Sequence, residues 1–215
     1  MARKISVLDT TLRDGAQREG ISFSVEDKLR IAQELDRLGV AYVEGGYPGS
    51  NPKEVEFFAR AQDLDLEHAK IAAFGNTRHA ETSVEEDDNI RALLEAGTSV
   101  AVIVGKSSPM QVKEVLRTSL VENLAMIRDT VAYLKGQGLE VLFDAEHFFD
   151  GYDLDADYTL ETLRAAQEAG ADYLVLCDTK GGTLPSEVSD IVSIVHRALP
   201  EARLGIHAHR SEERR

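Results

Sequence analysis

Seven short apolar runs alternate with helix-patterned segments along the whole chain. They are Ile5 to Leu8, Ala41 to Glu44, Lys70 to Phe74, Ser99 to Val104, Leu139 to Phe143, Tyr173 to Leu176 and Leu204 to Ile206. Runs this short and this continuously apolar read as strands of a parallel sheet covered by helices. The segments between them carry helix start and stop signals. Ser24-Val25-Glu26-Asp27 places a serine cap before acids in a first turn. Leu29, Ile31, Ala32, Leu35 and Leu38 then keep a helical period that Gly39 ends. Asn51-Pro52 opens a second helix with proline at its first position. Further helices are expected at Asp88 to Ala96, near Pro109, and over Val121 to Leu134, Leu160 to Ala169 and Pro185 to Leu199.

Two α/β architectures accept this alternation: a doubly wound sheet or a (β/α)8 barrel. Polar groups follow nearly every run, which favours the barrel, whose active site draws on all its strand ends. No Gly-x-Gly-x-x-Gly turn follows the first run, which weakens the dinucleotide-fold option. A barrel needs eight strands, and the seventh run here is followed by Arg210-Ser211-Glu212-Glu213-Arg214-Arg215, a charged stretch with no strand pattern. The expectation is therefore an α/β, TIM-barrel-type catalytic domain over 1–209, incomplete by its eighth strand, and a tail over 210–215.

A length of 215 residues favours one domain with a full core. The net charge of −14 argues against nucleic acid or an anionic membrane as the main partner, while leaving room for a local basic pocket. The single cysteine, Cys177, allows no internal disulfide and suits a reducing cytoplasm. No apolar run approaches the roughly 20 residues of a membrane span. Met1-Ala2-Arg3-Lys4 passes directly into the first run, with no signal-peptide pattern.

Chemistry concentrates where runs break. The first delivers Asp9-Thr10-Thr11-Leu12-Arg13-Asp14-Gly15-Ala16-Gln17. If that stretch stays extended, adjacent Arg13 and Asp14 face opposite sides, one toward a metal and the other toward a substrate oxygen. The seventh run ends in His207-Ala208-His209, two imidazoles on the same side of a strand. A carboxylate plus two imidazoles is an ordinary ligand set for a divalent metal. Glu44 follows apolar Tyr42-Val43, and a carboxylate near a core needs a partner. The fifth run delivers Asp144-Ala145-Glu146-His147 and the sixth Cys177-Asp178-Thr179-Lys180-Gly181-Gly182. Plainer readings stand beside these: Asp14 as a turn residue, Glu146 and His147 as a solvated loop, Cys177 as a small buried hydrophobe. His68, His79 and His196 are expected at the surface.

Taken together, these stretches resemble the acyl-CoA-condensing synthases that make 2-isopropylmalate, homocitrate and citramalate, relatives of 3-hydroxy-3-methylglutaryl-CoA lyase. Asp9 to Gly15 is similar to the family's N-terminal signature and His207-Ala208-His209 to its metal motif. Glu44-Gly45-Gly46-Tyr47-Pro48-Gly49-Ser50-Asn51-Pro52 and Cys177 to Pro185 most resemble the citramalate branch. The resemblance implies a cytoplasmic, metal-dependent barrel enzyme of isoleucine biosynthesis that condenses acetyl-CoA with a 2-oxo acid, pyruvate in this branch, to (R)-citramalate. It implies Asp14, His207 and His209 as ligands of Mn2+, Mg2+ or Zn2+. By the same resemblance Arg13 is expected to stabilise oxyanion charge, Glu44 to orient that arginine, and Glu146 to act at the reacting carbon as base or by orienting a water. The resemblance likewise implies Arg13, Gln17 and Thr179 as substrate-binding residues. The full-length family is expected to be a homodimer that binds small molecules.

Two departures bear on activity. Arg210-Ser211 stands where the family has Asn-Asp after its histidines, and the family's further asparagine ligand, eighth strand, catalytic histidine–tyrosine region and regulatory domain have no counterpart in these letters. Lys180, where the family usually has asparagine, is a lesser deviation. The alternatives are a truncated or frame-shifted member that binds metal without turnover, and a 2-isopropylmalate synthase, homocitrate synthase or lyase. Against the lyase, no glycine-rich loop with a reactive cysteine follows the seventh run.

Overall fold

The computed structural model of the chain describes residues 5–209; the lead-in at 1–4 and the charged tail at 210–215 lie outside the described residues. Contacts divide the chain into two compact units. One takes in the residues up to Gly75 together with Asp88–Val102, the other Asn76–Asp87 together with the residues from Ile103 onward.

The first unit holds β1 (Leu8–Asp9), α1 (Val25–Arg37), β2 (Tyr42–Gly46), α2 (Pro52–Ala61), most of β3 (Lys70–Asn76), α3 (Asp88–Glu95) and the start of β4 (Val100–Lys106). Ser24 and Asp27 form a full capping box at α1, and Asn51 caps α2 ahead of Pro52, so both start signals work as the sequence predicts. Gly39 closes α1 at φ 78°, where a side chain would be strained. Parallel pairing runs Leu8 with Tyr42, then Tyr42 with Lys70. A register shift between Glu44 and Gly46 marks a β-bulge. Its glycines are needed: a Cβ at Gly45 would lie 2.6 Å from the Phe57 ring, and one at Gly46, at φ 147°, would collide with the Glu54 carboxylate. Phe57 and Phe58 are fully buried beneath this bulge, each worth about 1.5–3 kcal/mol of transfer free energy.

The second unit holds the rest of β4, the short α4 (Pro109–Gln111) with a π-turn at Val112–Leu116, α5 (Leu120–Gly136), β5 (Glu140–Glu146), α6 (Phe148–Leu154), α7 (Ala156–Glu168), β6 (Tyr173–Asp178), α8 (Pro185–Ala198) and β7 (Leu204–Ala208). Here too the pairs are parallel: Leu142 with Tyr173, and Leu174 with Leu204. The core is Val141, Phe143, Ala145, Leu174, Leu176 and the ring pair Phe148–Phe149.

Strand order follows the chain from β1 to β7 without reversal. A doubly wound sheet reverses at its switch point, so the order is that of a (β/α)8-type barrel sheet, with seven strands among the described residues. No described helix is long and apolar enough to cross a membrane.

Two expectations fail, and one helix has no signal in the sequence. The first run is not a buried strand: β1 covers only Leu8–Asp9, and Ile5 and Val7 are exposed. Ladder pairing begins only at Leu8, because the Val7 carbonyl accepts from both Ala41 and Tyr42 N–H groups as the chain enters the sheet. α6 is that helix: its Asp-Gly-Tyr interior breaks the helical period, and buried Phe148 and Phe149 hold it by tertiary packing. The other failed expectation is positional: Asp144, Glu146 and His207 belong to their strands rather than to the loops beyond them.

Candidate active site

In the first unit the chain turns after β1 instead of running on. Thr10 O accepts from the N–H groups of Arg13 and Gly15, and Asp14 sits at φ −69°, ψ −45° before a 3-10 turn over Gly15–Gln17. Arg13 and Asp14 therefore do not face opposite sides: Arg13 Nη1 donates to Asp14 Oδ1 at 3.3 Å. Arg13 Nε donates to Glu44 Oε2 at 2.7 Å, and its guanidinium lies 4.0 Å over the Phe74 ring. The Glu44 side chain is fully buried, Arg13 nearly so, and Gln17 is exposed. The partner that Glu44 needed is thus Arg13, clamped by a buried carboxylate below and an aromatic face beside it.

In the second unit, strand phase gathers the other candidates. Register pairs Asp144 with Val175 and Cys177 with His207. Side chains two apart share a face. Asp144 and Glu146, Val175 and Cys177, and Gly205 and His207 therefore line one side of the sheet. His207 and His209 stack with ring centroids 4.7 Å apart and planes 18° from parallel. His207 Nδ1 lies 3.8 Å from Asp144 Oδ2, too far for a hydrogen bond. Asp144 is 3% exposed, and its Oδ1 accepts no hydrogen bond from the described residues. The ligand atoms of Asp144, Cys177 and His207 lie within 4.8 Å of one another, a donor set that fits a divalent cation.

Glu146 is held by Lys106, whose ammonium donates to Glu146 Oε2. Lys106 in turn is fixed where Asn123 Nδ2 donates to its carbonyl at 2.8 Å. His147 adopts a left-handed conformation, φ 58°, that aims its N–H at Thr179 Oγ1, 2.9 Å away. Its Nδ1 meets Asp150 at 3.0 Å, and Lys180 reaches the same carboxylate at 3.0 Å. Asp178 accepts from Gly181 and Thr183 N–H groups, both at 3.1 Å, and so folds the loop after β6. Sequence reasoning passed over Lys106, Asp150 and the loop-building role of Asp178. The i, i+2 spacing of Asp144 with Glu146 was a usable signal for a shared face; Lys106 gave none. Cys177 is buried, as a small hydrophobe would be, and His68, His79 and His196 are exposed as expected.

Residues 4–212 match the HMGL-like family. The chain is 55% identical over 208 residues to the (R)-citramalate synthase of Synechocystis sp., covering 94% of this chain and 38% of that protein. It is 51% identical to the (R)-citramalate synthase of Aquifex aeolicus, covering 99% and 40%, and 33% identical to a homocitrate synthase of Saccharolobus islandicus, covering 96% and 43%. The chain thus spans about two fifths of the length of these relatives. Among solved structures, HMG-CoA lyase from Bacillus subtilis superposes with a TM-score of 0.77 at 21% identity, over 97% of this chain and 69% of that one. A lyase from Acinetobacter baumannii, solved with coenzyme A and 3-methylmalate, gives 0.74 at 20% identity, over 96% and 67%. These two likenesses concern the fold.

Proposed function

The chain belongs to the HMGL-like family, and from that premise we propose that it carries the condensing chemistry of a citramalate synthase, joining acetyl-CoA to pyruvate. The observation that carries this reading is the single face of β5, β6 and β7 that presents Glu146 and the stacked His207–His209 pair. Identity favours the citramalate branch over the homocitrate one, 55% against 33%.

Asp14, His207 and His209 are the proposed metal ligands. A divalent ion held there supplies Lewis acidity to the carbonyl of the 2-oxo acid. Arg13, kept in place by Glu44, stabilises negative charge on the ketone oxygen. The Thr179 hydroxyl, oriented by the His147 N–H, donates to the substrate carboxylate. Gln17 contributes a further substrate contact. Glu146, held by Lys106, takes the methyl proton of acetyl-CoA or orients the water that does. The resulting carbanion attacks the ketone carbon, the C=O pair moves onto the oxygen beside Arg13, and that alkoxide takes a proton from solvent; water then cleaves the thioester, releasing coenzyme A and making the condensation irreversible.

The test is direct. The chain is mixed with acetyl-CoA, pyruvate and Mn2+, and free thiol is followed together with citramalate by mass spectrometry. Release of coenzyme A that depends on both pyruvate and metal supports the proposal. Metal binding without any release means that these 215 residues bind the ion and do not turn over. Equal use of 2-oxoisovalerate would move the assignment to the isopropylmalate branch.

A further inference from the structure

Asp144, Cys177 and His207 come from three successive strands and share one face through the registers Asp144–Val175 and Cys177–His207. Their ligand atoms, a carboxylate oxygen, the thiol sulfur and an imidazole nitrogen, all lie within 4.8 Å of one another. The nearer oxygen of Asp144 is 3.8 Å from His207 Nδ1, longer than a hydrogen bond and close to the separation of two ligands on one ion. The second oxygen, Oδ1, is buried with no hydrogen bond from the described residues, an arrangement costly for a carboxylate. A sulfur, an imidazole and a carboxylate together are the donors of a soft or borderline cation, unlike the carboxylate and imidazoles proposed for the hard ion.

From this geometry we propose a second, thiophilic metal seat on Asp144, Cys177 and His207, taking Zn2+ or Cd2+. Binding forms bonds from the metal to Sγ, Nδ1 and a carboxylate oxygen, and the thiol proton is released to solvent. His207 belongs to both sets, so a thiophilic ion competes with Mn2+ or Mg2+ for this imidazole. The competition rests on the reading of His207 as a ligand of the hard ion; the seat itself does not.

The experiment titrates the metal-free, 215-residue chain with Cd2+ and follows sulfur-to-metal charge transfer in the near ultraviolet. A saturable band is expected. Cys177→Ser and Cys177→Ala should both abolish it, with the fold checked by circular dichroism. Asp144→Asn should weaken Cd2+ binding at least about tenfold. Asp14→Ala should leave the Cd2+ band intact while removing Mn2+ binding. Cd2+ bound without a band, or a band that survives loss of Cys177, overturns the seat. A band lost in Asp14→Ala also overturns it, because the ion would then use the other ligand set. Retention of Mn2+ binding in Asp14→Ala counts against the hard-ion site alone.

Discussion

The Nε of Arg13 donates to Glu44 Oε2 across 2.7 Å, and the Glu44 side chain is wholly shielded from solvent. The pair joins the turn after β1 to the bulge at the end of β2. Removing the acid leaves a guanidinium with little access to water. Glu44→Ala should therefore lower the unfolding free energy by about 3–5 kcal/mol, measured by urea denaturation. A loss below about 1 kcal/mol, the scale of an exposed pair, would contradict a buried partnership.

Arg13→Lys keeps the charge and gives up the flat fork that meets Glu44 and covers Phe74. Its melting temperature should stay near that of the unsubstituted chain, while pyruvate-dependent release of coenzyme A should fall steeply. An unchanged rate would remove Arg13 from the chemistry.

Lys28 is 2% exposed, lies 2.6 Å from Glu54, and stands 4.7 Å over the Phe57 ring. Burial pushes its ammonium pKa down, opposed by the bond to Glu54. Glu54→Ala should cost about 3–5 kcal/mol by stranding that charge, whereas Lys28→Met with Glu54→Leu should be neutral or stabilising by about 1–4 kcal/mol. A double variant as unstable as Glu54→Ala would show that the ion pair itself fixes the bulge over Glu54.

Asp36 accepts backbone N–H bonds from Glu67, His68 and Ala69, at 3.1, 2.7 and 2.7 Å. The bonds from Ala69 and His68 hold its pKa below the ordinary carboxylate value. The folded state therefore binds fewer protons at this group than the unfolded chain does. The stability it contributes is present above the unfolded value of about 3.9 and disappears as pH falls through the lowered folded value. Asp36→Asn should be less stable than the unsubstituted chain at about pH 7, and the gap should narrow toward about pH 2. Urea midpoints at both values check this; a constant gap would contradict it.

Much of this was written in the letters. Ser24, Asn51 and Gly39 fixed helix boundaries because caps and left-handed positions are local chemistry. The seven runs and their sequential order carried the fold class. The partnership of Arg13 with Glu44 came through resemblance, since no local signal links residues 31 apart. What stayed hidden was set by tertiary contact. Lys106 looks like a strand-end lysine until Glu146 is beside it. α6 owes its helix to the burial of Phe148 and Phe149 rather than to its own pattern. Ile5 and Val7 looked like core because apolar letters do not say which pairings a strand will find.

Asp14, His207 and His209 are proposed, from the family resemblance, to hold one divalent cation. Calorimetric titration of Mn2+ into the unsubstituted chain and into Asp14→Ala tests this proposal most directly. Saturable binding to the former, weakened about a hundredfold or more in the latter, is the predicted result. Equal affinity in both proteins would contradict it.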